Sequence, residues 1–345
     1  LRGEFPRLIR SGSTAAKSRR GLNNTGDKSM IRTTRRLALH ALAGAAALAL
    51  LPQSTLAADA KPRVALVMKS LANEFFQTMQ EGARADQKAR ASQYTLISNG
   101  IKDETDTAAQ IKIVQQMLVE HVDAIVIAPA DSKALVPVLA EAASKGVIVV
   151  NIDNKLDEAA LKEKNLVVPF VGPDNRKGAK LAGDYLGKQL KSGDKVGILE
   201  GVSTTFNAQQ RTAGFTDAMK AVGANIVSTQ SGQWEMDKAN AVAAAMLREH
   251  PDLRALLAGN DNMALGAVAA VKSAGKTGKV LVVGYDNISA IKPMLADGRV
   301  LATVDQYGAK QAVFGIDTAL KAIKGKTAQK DLAPVVETTV TLVTK

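Results

Sequence analysis

The chain has 345 residues, with 45 Lys and Arg against 33 Asp and Glu, and it contains no cysteine. A chain without cysteine has no disulfides, no thiolate metal sites and no lipidated N-terminal Cys. The basic excess suggests nucleic acid, but residues 1–57 hold 10 of the 45 basic and 2 of the 33 acidic side chains, so the remainder carries 35 − 31 = +4 and has no dense basic patch interleaved with aromatics.

Met30 is the expected start. From it run a basic stretch with Arg32, Arg35 and Arg36, an apolar stretch over 37–51, Pro52, and the small-residue site Thr55-Leu56-Ala57. That order is the order of a cleaved signal peptide. The apolar stretch has 15 residues and includes His40, whereas a membrane-spanning helix needs about 20. We expect residues 30–57 to be a signal peptide cut after Ala57, and residues 1–29 to be an upstream segment without a function of its own. An exported protein without a lipid anchor is retained by an outer membrane, so the expected location is a Gram-negative periplasm. What remains, 345 − 57 = 288 residues, suggests two domains.

Along that remainder short apolar runs alternate with longer amphipathic stretches, the pattern of a parallel sheet covered by helices. Strands are expected at 64–68, 94–98, 124–128 and 147–152, with helices from about Asn73, Thr105 and Ser132. Ile111, Val114 and Leu118 fall on one helical face. Ser132 suits an N-cap, Gly146 suits the end of the same helix, and Pro137 lies awkwardly inside it. A run over 166–172 leads to Pro173-Asp174, and the alternation then resumes with strands at 195–200, 226–231, 255–259, 280–284 and 300–304. The expected fold is α/β, two doubly wound parallel-sheet lobes in series with a ligand cleft between them. In open α/β sheets ligands bind beyond the carboxyl ends of the strands.

Just past those ends stand Lys69, Asn73, Phe75, Phe76, Asp153, Arg211, Trp234, Asn260, Asp286 and Gln306. Hydrogen-bonding groups mixed with aromatics suit a sugar, whose hydroxyls donate and accept while its C–H faces stack on rings. Each residue also has a blander reading. Phe75 and Phe76 open a helix and could be core, Asp153-Asn154 could be a turn, and Arg211 could be a solvated helix charge. Asp261 is best taken as a helix N-cap.

The stretches 65–76 (ALVMKSLANEFF), 260–266 (NDNMALG) and 282–286 (VVGYD) resemble the periplasmic binding proteins for pentoses and hexoses, especially those for ribose and allose. The resemblance covers nearly all of 61–345. It implies a three-segment hinge near Pro173, Gln306 and Pro334, with lobes at 60–173 plus 307–334 and at 174–306 plus 335–345. It implies that Asn73, Phe75, Phe76 and Asp153 line the first lobe, that Arg211, Trp234, Asn260 and Asp286 line the second, and that Gln306 lies at the hinge. Lys69 matches the allose-binding type and departs from the ribose-binding type. Asn154, also taken as ligand-binding, stands where a charged group is usual, and the loop at 203–207 is bulkier than the family's. The implied function is capture of a monosaccharide or sugar alcohol by lobe closure and delivery to an ABC transporter permease. A chemoreceptor is a further partner compatible with the resemblance, and the protein is expected to be a monomer.

Other motifs carry less. Gly275-Lys276-Thr277 precedes a strand and is a turn, not a phosphate loop. His121 and His250 each close a helix, where the dipole favours them. No cofactor, metal or nucleic acid is expected. Asp153 and Asp286 could be imagined as a glycosidase pair, but Arg211 and Lys69 nearby are expected to keep them ionised, so no catalytic residue is assigned. A sugar-responsive regulator on the same fold is the alternative; it needs a helix-turn-helix where the apolar leader stands. A carbohydrate-processing enzyme is the other.

Overall fold

The structure, a computed structural model, describes residues 61–333 and 335–345. The expected leader at 30–57 and the hinge position at Pro334 lie outside the described residues.

The chain first builds β1 (Arg63–Ser70), β2 (Thr95–Ile101), β3 (Ala124–Ile127), β4 (Ile148–Ile152) and β5 (Phe170–Pro173). It then builds β6 (Lys195–Glu200), β7 (Asn225–Ser231), β8 (Ala255–Ala258), β9 (Leu281–Val283) and β10 (Ala302–Asp305), and ends with β11 (Val335–Thr338) and β12 (Thr341–Thr344). One sheet has the order β11-β5-β4-β3-β1-β2 and the other the order β12-β10-β9-β8-β6-β7. All pairings are parallel except that of β12 with β10. Their central strands are buried on both faces, as in β3, β4 and β8, because helices cover both sides of a parallel sheet.

Ten helices make those covers. They are α1 (Glu74–Ala89), α2 (Thr107–Val119), α3 (Val136–Ser144), α4 (Glu158–Glu163), α5 (Asn175–Gly187), α6 (Phe206–Ala221), α7 (Met236–Glu249), α8 (Asp261–Ser273), α9 (Lys292–Ala296) and α10 (Gly308–Gly325) among the described residues. Three expectations about them change. The third helix starts at Val136, so Pro137 occupies its first turn, where its missing N–H costs nothing. Ser132 therefore does not cap that helix. Asp261 is the first residue inside α8, and the cap is Asn260, whose side chain accepts from the Met263 N–H.

The chain crosses between lobes three times. β5 ends in the first sheet at Pro173, and α5 packs on α6 and β10. β10 ends in the second at Asp305, and α10 packs on β4 and β3. The last crossing differs from the expectation. Residues 335–338 pair with β5 in the first sheet, and the chain passes over only at 339–340 before β12 pairs with β10. A strand beginning beside a proline reads the same whichever sheet edge it joins, and the partner edge here is β5, not β10.

Two buried amides fix the strand ends of the first lobe. Gln110 Nε2 donates to Met68 O at 3.0 Å and to Ala128 O at 2.9 Å, and its Oε1 accepts from the Ala130 N–H. Asn151 Nδ2 donates to Asn154 O and its Oδ1 accepts from the Leu156 N–H. The backbone near the end of β1 and just beyond β3 and β4 is thus tied by side chains, which holds the residues that follow in place.

Candidate functional site

Between the carboxyl ends of the two sheets lies a small, nearly filled cavity, lined by Lys69, Asn73, Phe75, Phe76, Glu104 and Asp153 from the first lobe and by Asn207, Arg211, Trp234, Asn260, Asp286 and Gln306 from the second lobe and hinge. Three lining residues, Asp153, Trp234 and Asp286, have positive φ, at 63°, 67° and 117°. Non-glycine residues hold such backbones at a cost, and they collect at functional sites.

The first-lobe wall begins with Asn73, which caps α1 by accepting from the Phe75 N–H and donates through Nδ2 to Glu104 Oε1 at 3.0 Å. Lys69 Nζ lies 3.3 Å from Glu104 Oε2, with both side chains 2% exposed, though without the alignment of a hydrogen bond. The ammonium also stands 5.6 Å from the centroid of the Phe76 ring and 5.3 Å from that of Trp234, within cation–π reach. Phe75 and Phe76 meet edge to face at 5.1 Å. Phe75 rests on the start of α10, where a Cβ at Gly308 would fall 2.6 Å from its ring. Asp153 Oδ2 is buried and has no hydrogen-bond partner.

On the second-lobe wall Arg211 is held from several sides. Its Nε donates to Asn175 Oδ1 at 2.8 Å, one terminal nitrogen donates to Gly259 O at 3.0 Å and to Asp286 Oδ1 at 3.4 Å, and the guanidinium carbon lies 3.8 Å from the Tyr285 ring centroid. Gln306 Nε2 donates to Asp286 Oδ1 at 2.7 Å, and Gln311 Nε2 in turn donates to Gln306 O. Trp234 is only 3% exposed. A Cβ on Gly201 would fall 2.1 Å from its ring, so only glycine there leaves room for the indole. Its Nε1 has no partner. Trp234 is therefore a packed wall of the closed cleft.

Burial shifts the carboxyls of this cleft upward. Asp286 is pushed up to about 7, first by burial, with Arg211 opposing and Asp153 adding to the rise. Asp153 is raised by burial against the pull of Lys69 and Arg211, and Glu104 is raised by burial against Lys69. As expected, Lys69 and Arg211 pull Asp153 toward the ionised form and Arg211 does the same for Asp286, but burial opposes them and both carboxyls lie above their ordinary value. Removing the carboxylates from water outweighs the nearby positive charges. Asp261, raised well above the usual range by burial and then by Asp286, is satisfied structurally by the Thr303 hydroxyl and the Ile288 N–H.

Residues 64–327 match the periplasmic binding protein domain. The chain belongs to that family. Among its relatives, the D-ribose/D-allose-binding protein of Pseudomonas aeruginosa is 65% identical over 317 residues, covering 91% of this chain and 99% of the relative. A crystal structure of an ABC transporter solute binding protein from Burkholderia multivorans, with an unknown ligand interpreted as α-D-erythrofuranose, is 72% identical. It has a TM-score of 0.81 and covers 83% of this chain and 100% of that one. A periplasmic solute binding protein of an ABC transporter from Actinobacillus succinogenes with bound D-allose is 34% identical, with a TM-score of 0.76 over 83% of this chain and 98% of that one. As a periplasmic binding protein the chain has the fold read from its sequence, two parallel-sheet α/β lobes with a cleft between them.

Ten of the eleven residues singled out in the sequence line this cavity, and Asn154 does not. Its Nδ2 donates to Pro129 O at 2.9 Å, and its Oδ1 accepts from the Asn207 N–H of the other lobe at 3.1 Å. Its neighbour Asp153 takes the cavity position because the left-handed backbone there turns the two side chains apart. Glu104 and Asn207 were missed. Glu104 also follows a strand end, that of β2, but it sits in the charged run Lys102-Asp103-Glu104, which looks like a solvated loop. Asn207, in the first turn of α6, ends the stretch 203–207 already singled out as unusually bulky.

Proposed function

We infer that this periplasmic binding protein captures a neutral monosaccharide, pentose or hexose, or a sugar alcohol of similar size, and passes it to the permease of an ABC importer. The observation that carries this is the composition of the cavity. Lys69 and Arg211 donate, Glu104, Asp153 and Asp286 accept, and three aromatic rings complete the lining. Both signs of charge are present, so the wall suits a ligand with many hydroxyls and no net charge, in which each hydroxyl both donates and accepts. The P. aeruginosa relative is described as binding D-ribose and D-allose, and the ten lining residues foreseen in the sequence are proposed as the ligand contacts, joined by Glu104 and Asn207.

The protein acts as a binder, not an enzyme. The relatives are named as binding proteins, and Asp286 is engaged by Arg211 and Gln306. We further propose a monomer exported by a cleaved leader. In support, the match to the P. aeruginosa protein spans 317 residues, more than the 286 from 60 to 345, so it reaches into the leader. Mass spectrometry of periplasmic protein should find Ala58 or a near neighbour first.

The test of the ligand class is a thermal-shift panel of pentoses, hexoses, polyols and sugar acids. A cognate sugar at about 100 times its Kd adds about 2.7 kcal/mol of stability, and sugar acids should add none. Stabilisation by an acid and by no neutral sugar overturns the reading.

A further inference from the structure

The start of α6 has no side-chain cap within its own lobe. Thr205, at the cap position, turns its hydroxyl back to donate to Val202 O at 2.6 Å. The first two N–H groups of the helix donate instead across the cleft, Phe206 N to Ser132 Oγ at 2.9 Å and Asn207 N to Asn154 Oδ1 at 3.1 Å. Ser132 and Asn154 follow β3 and β4 of the first lobe, and the Ser132 hydroxyl lies 3.4 Å from Asn154 Oδ1. A second junction repeats the arrangement. Beyond β9 of the second lobe, the N–H groups of Ser289 and Ala290 donate to the two carboxylate oxygens of Glu74, at 2.6 and 3.2 Å, and no second-lobe side chain caps that turn. Glu74 opens α1 of the first lobe. None of Ser132, Asn154 and Glu74 lines the cavity.

We propose that Ser132, Asn154 and Glu74 are positioning residues that hold the lobes closed by supplying, from the first lobe, the acceptors that helix-start N–H groups of the second lobe lack, and so set how long a ligand stays without touching it. Unsatisfied helix-start donors turn to water when the lobes part, and a side-chain cap is better than water by a modest amount. A ligand's residence depends on the free-energy difference between closed and open states, so contacts present only in the closed state act on release. Asn154, expected from the family resemblance to bind ligand, acts on this account through the other lobe's backbone. The proposal rests on the sugar-binding reading for its ligand, though not for its geometry.

The test uses the full chain with D-ribose and D-allose as probes, following association and release by stopped flow. Ser132→Ala and Glu74→Ala should each speed release about fivefold, and together about 25-fold, the size expected for one and two caps. Association should change less than about twofold, because affinity differences within one interface fall mostly on release. The ligand-free variants should still unfold in a single cooperative transition. Ser132→Thr keeps its acceptor oxygen and should release at the wild-type rate, while Glu74→Gln keeps one of two acceptor oxygens and should release more slowly than Glu74→Ala. Unchanged release in the double variant overturns the proposal, as does release from the Thr and Gln variants as fast as from the Ala variants. If the wild type binds neither sugar, the sugar reading is what fails. Small-angle scattering of the ligand-free chain then decides the proposal, since the double variant must be shifted toward the larger, open form and identical curves would contradict it.

Discussion

The two walls of the cleft are held in different ways. In the second lobe and hinge the charged and amide side chains are engaged by neighbours: Arg211 by Asn175, Gly259 and Asp286, Asp286 by Gln306, Gln306 by Gln311 of α10, and Asn260 by the N–H it caps. In the first lobe Asp153 Oδ2 and Glu104 Oε2 are buried without a hydrogen-bond partner. Buried acceptors are nearly always satisfied; Glu104 Oε2 has the Lys69 ammonium 3.3 Å away, whereas Asp153 Oδ2 has neither a hydrogen-bond nor an ion-pair partner and is the acceptor left open in the cavity. The difference teaches that one wall is preorganised and offers its shape, while the other keeps acceptor capacity that hydroxyl groups complete. Preorganisation lowers the cost of binding on one side, and the open acceptor confers selectivity for donors on the other.

The largest effect should come from breaking the preorganised wall. Arg211→Ala removes a buried cation and leaves Asp286, Asn175 Oδ1 and Gly259 O short of a donor, so it should cost about 3–5 kcal/mol. Denaturant unfolding should register part of the loss and calorimetry the rest as weakened sugar binding. A smaller effect is expected from the packing beneath Trp234. Gly201→Ala forces the indole to move, and overpacking of this kind costs about 1–3 kcal/mol. Because Trp234 is the only tryptophan, its emission reports the displacement directly, and unchanged emission would mean that the ring is not seated on Gly201.

The smallest effect is a pH dependence. Asp286 is pushed up to about 7 in the folded protein, against an ordinary carboxylate value near 4. The folded state therefore holds a proton that the unfolded chain has already released, and the ligand-free protein loses stability as pH rises between those two values. From about pH 6 to pH 7.5 the fall attributable to this group should be about 1 kcal/mol, and Asp286→Asn should abolish that slope. A wild-type stability that rises over the same interval would contradict the sign.

Much of the fold was legible because its signals are local. Apolar runs such as Lys195–Glu200 coincide with the strand observed, and the break at Pro173-Asp174 marks the first crossing. The last crossing was misplaced because Val335–Thr338 and Thr341–Thr344 are alike in length and character, and which sheet edge each joins depends on partners far away in the chain. The cavity was legible through the rule that ligands bind beyond strand ends, which located Lys69, Asp153 and Asp286. It failed for Asn154 because the left-handed backbone at Asp153 sends neighbouring side chains to different places. Ser132 reads as a helix cap in the sequence because a serine before a helix looks like one, and nothing in the local sequence shows that its bond is made to the opposite lobe.

Calorimetric titration of D-ribose and D-allose into the wild type and Asp153→Asn, beside thermal unfolding of both ligand-free proteins, tests the asymmetry of the walls most directly. Replacing an unpartnered buried carboxylate by its neutral amide removes a desolvated charge, so the variant should melt no lower than the wild type above the usual carboxylate range. The same change removes a charged acceptor from the ligand's hydroxyls and should weaken binding by about 2 kcal/mol, roughly 30-fold. Saturable one-site binding in the wild type, weakened in a variant of equal or greater stability, is the predicted result. Equal affinity in the two proteins would contradict it, because Asp153 would then not be an acceptor held open for the ligand.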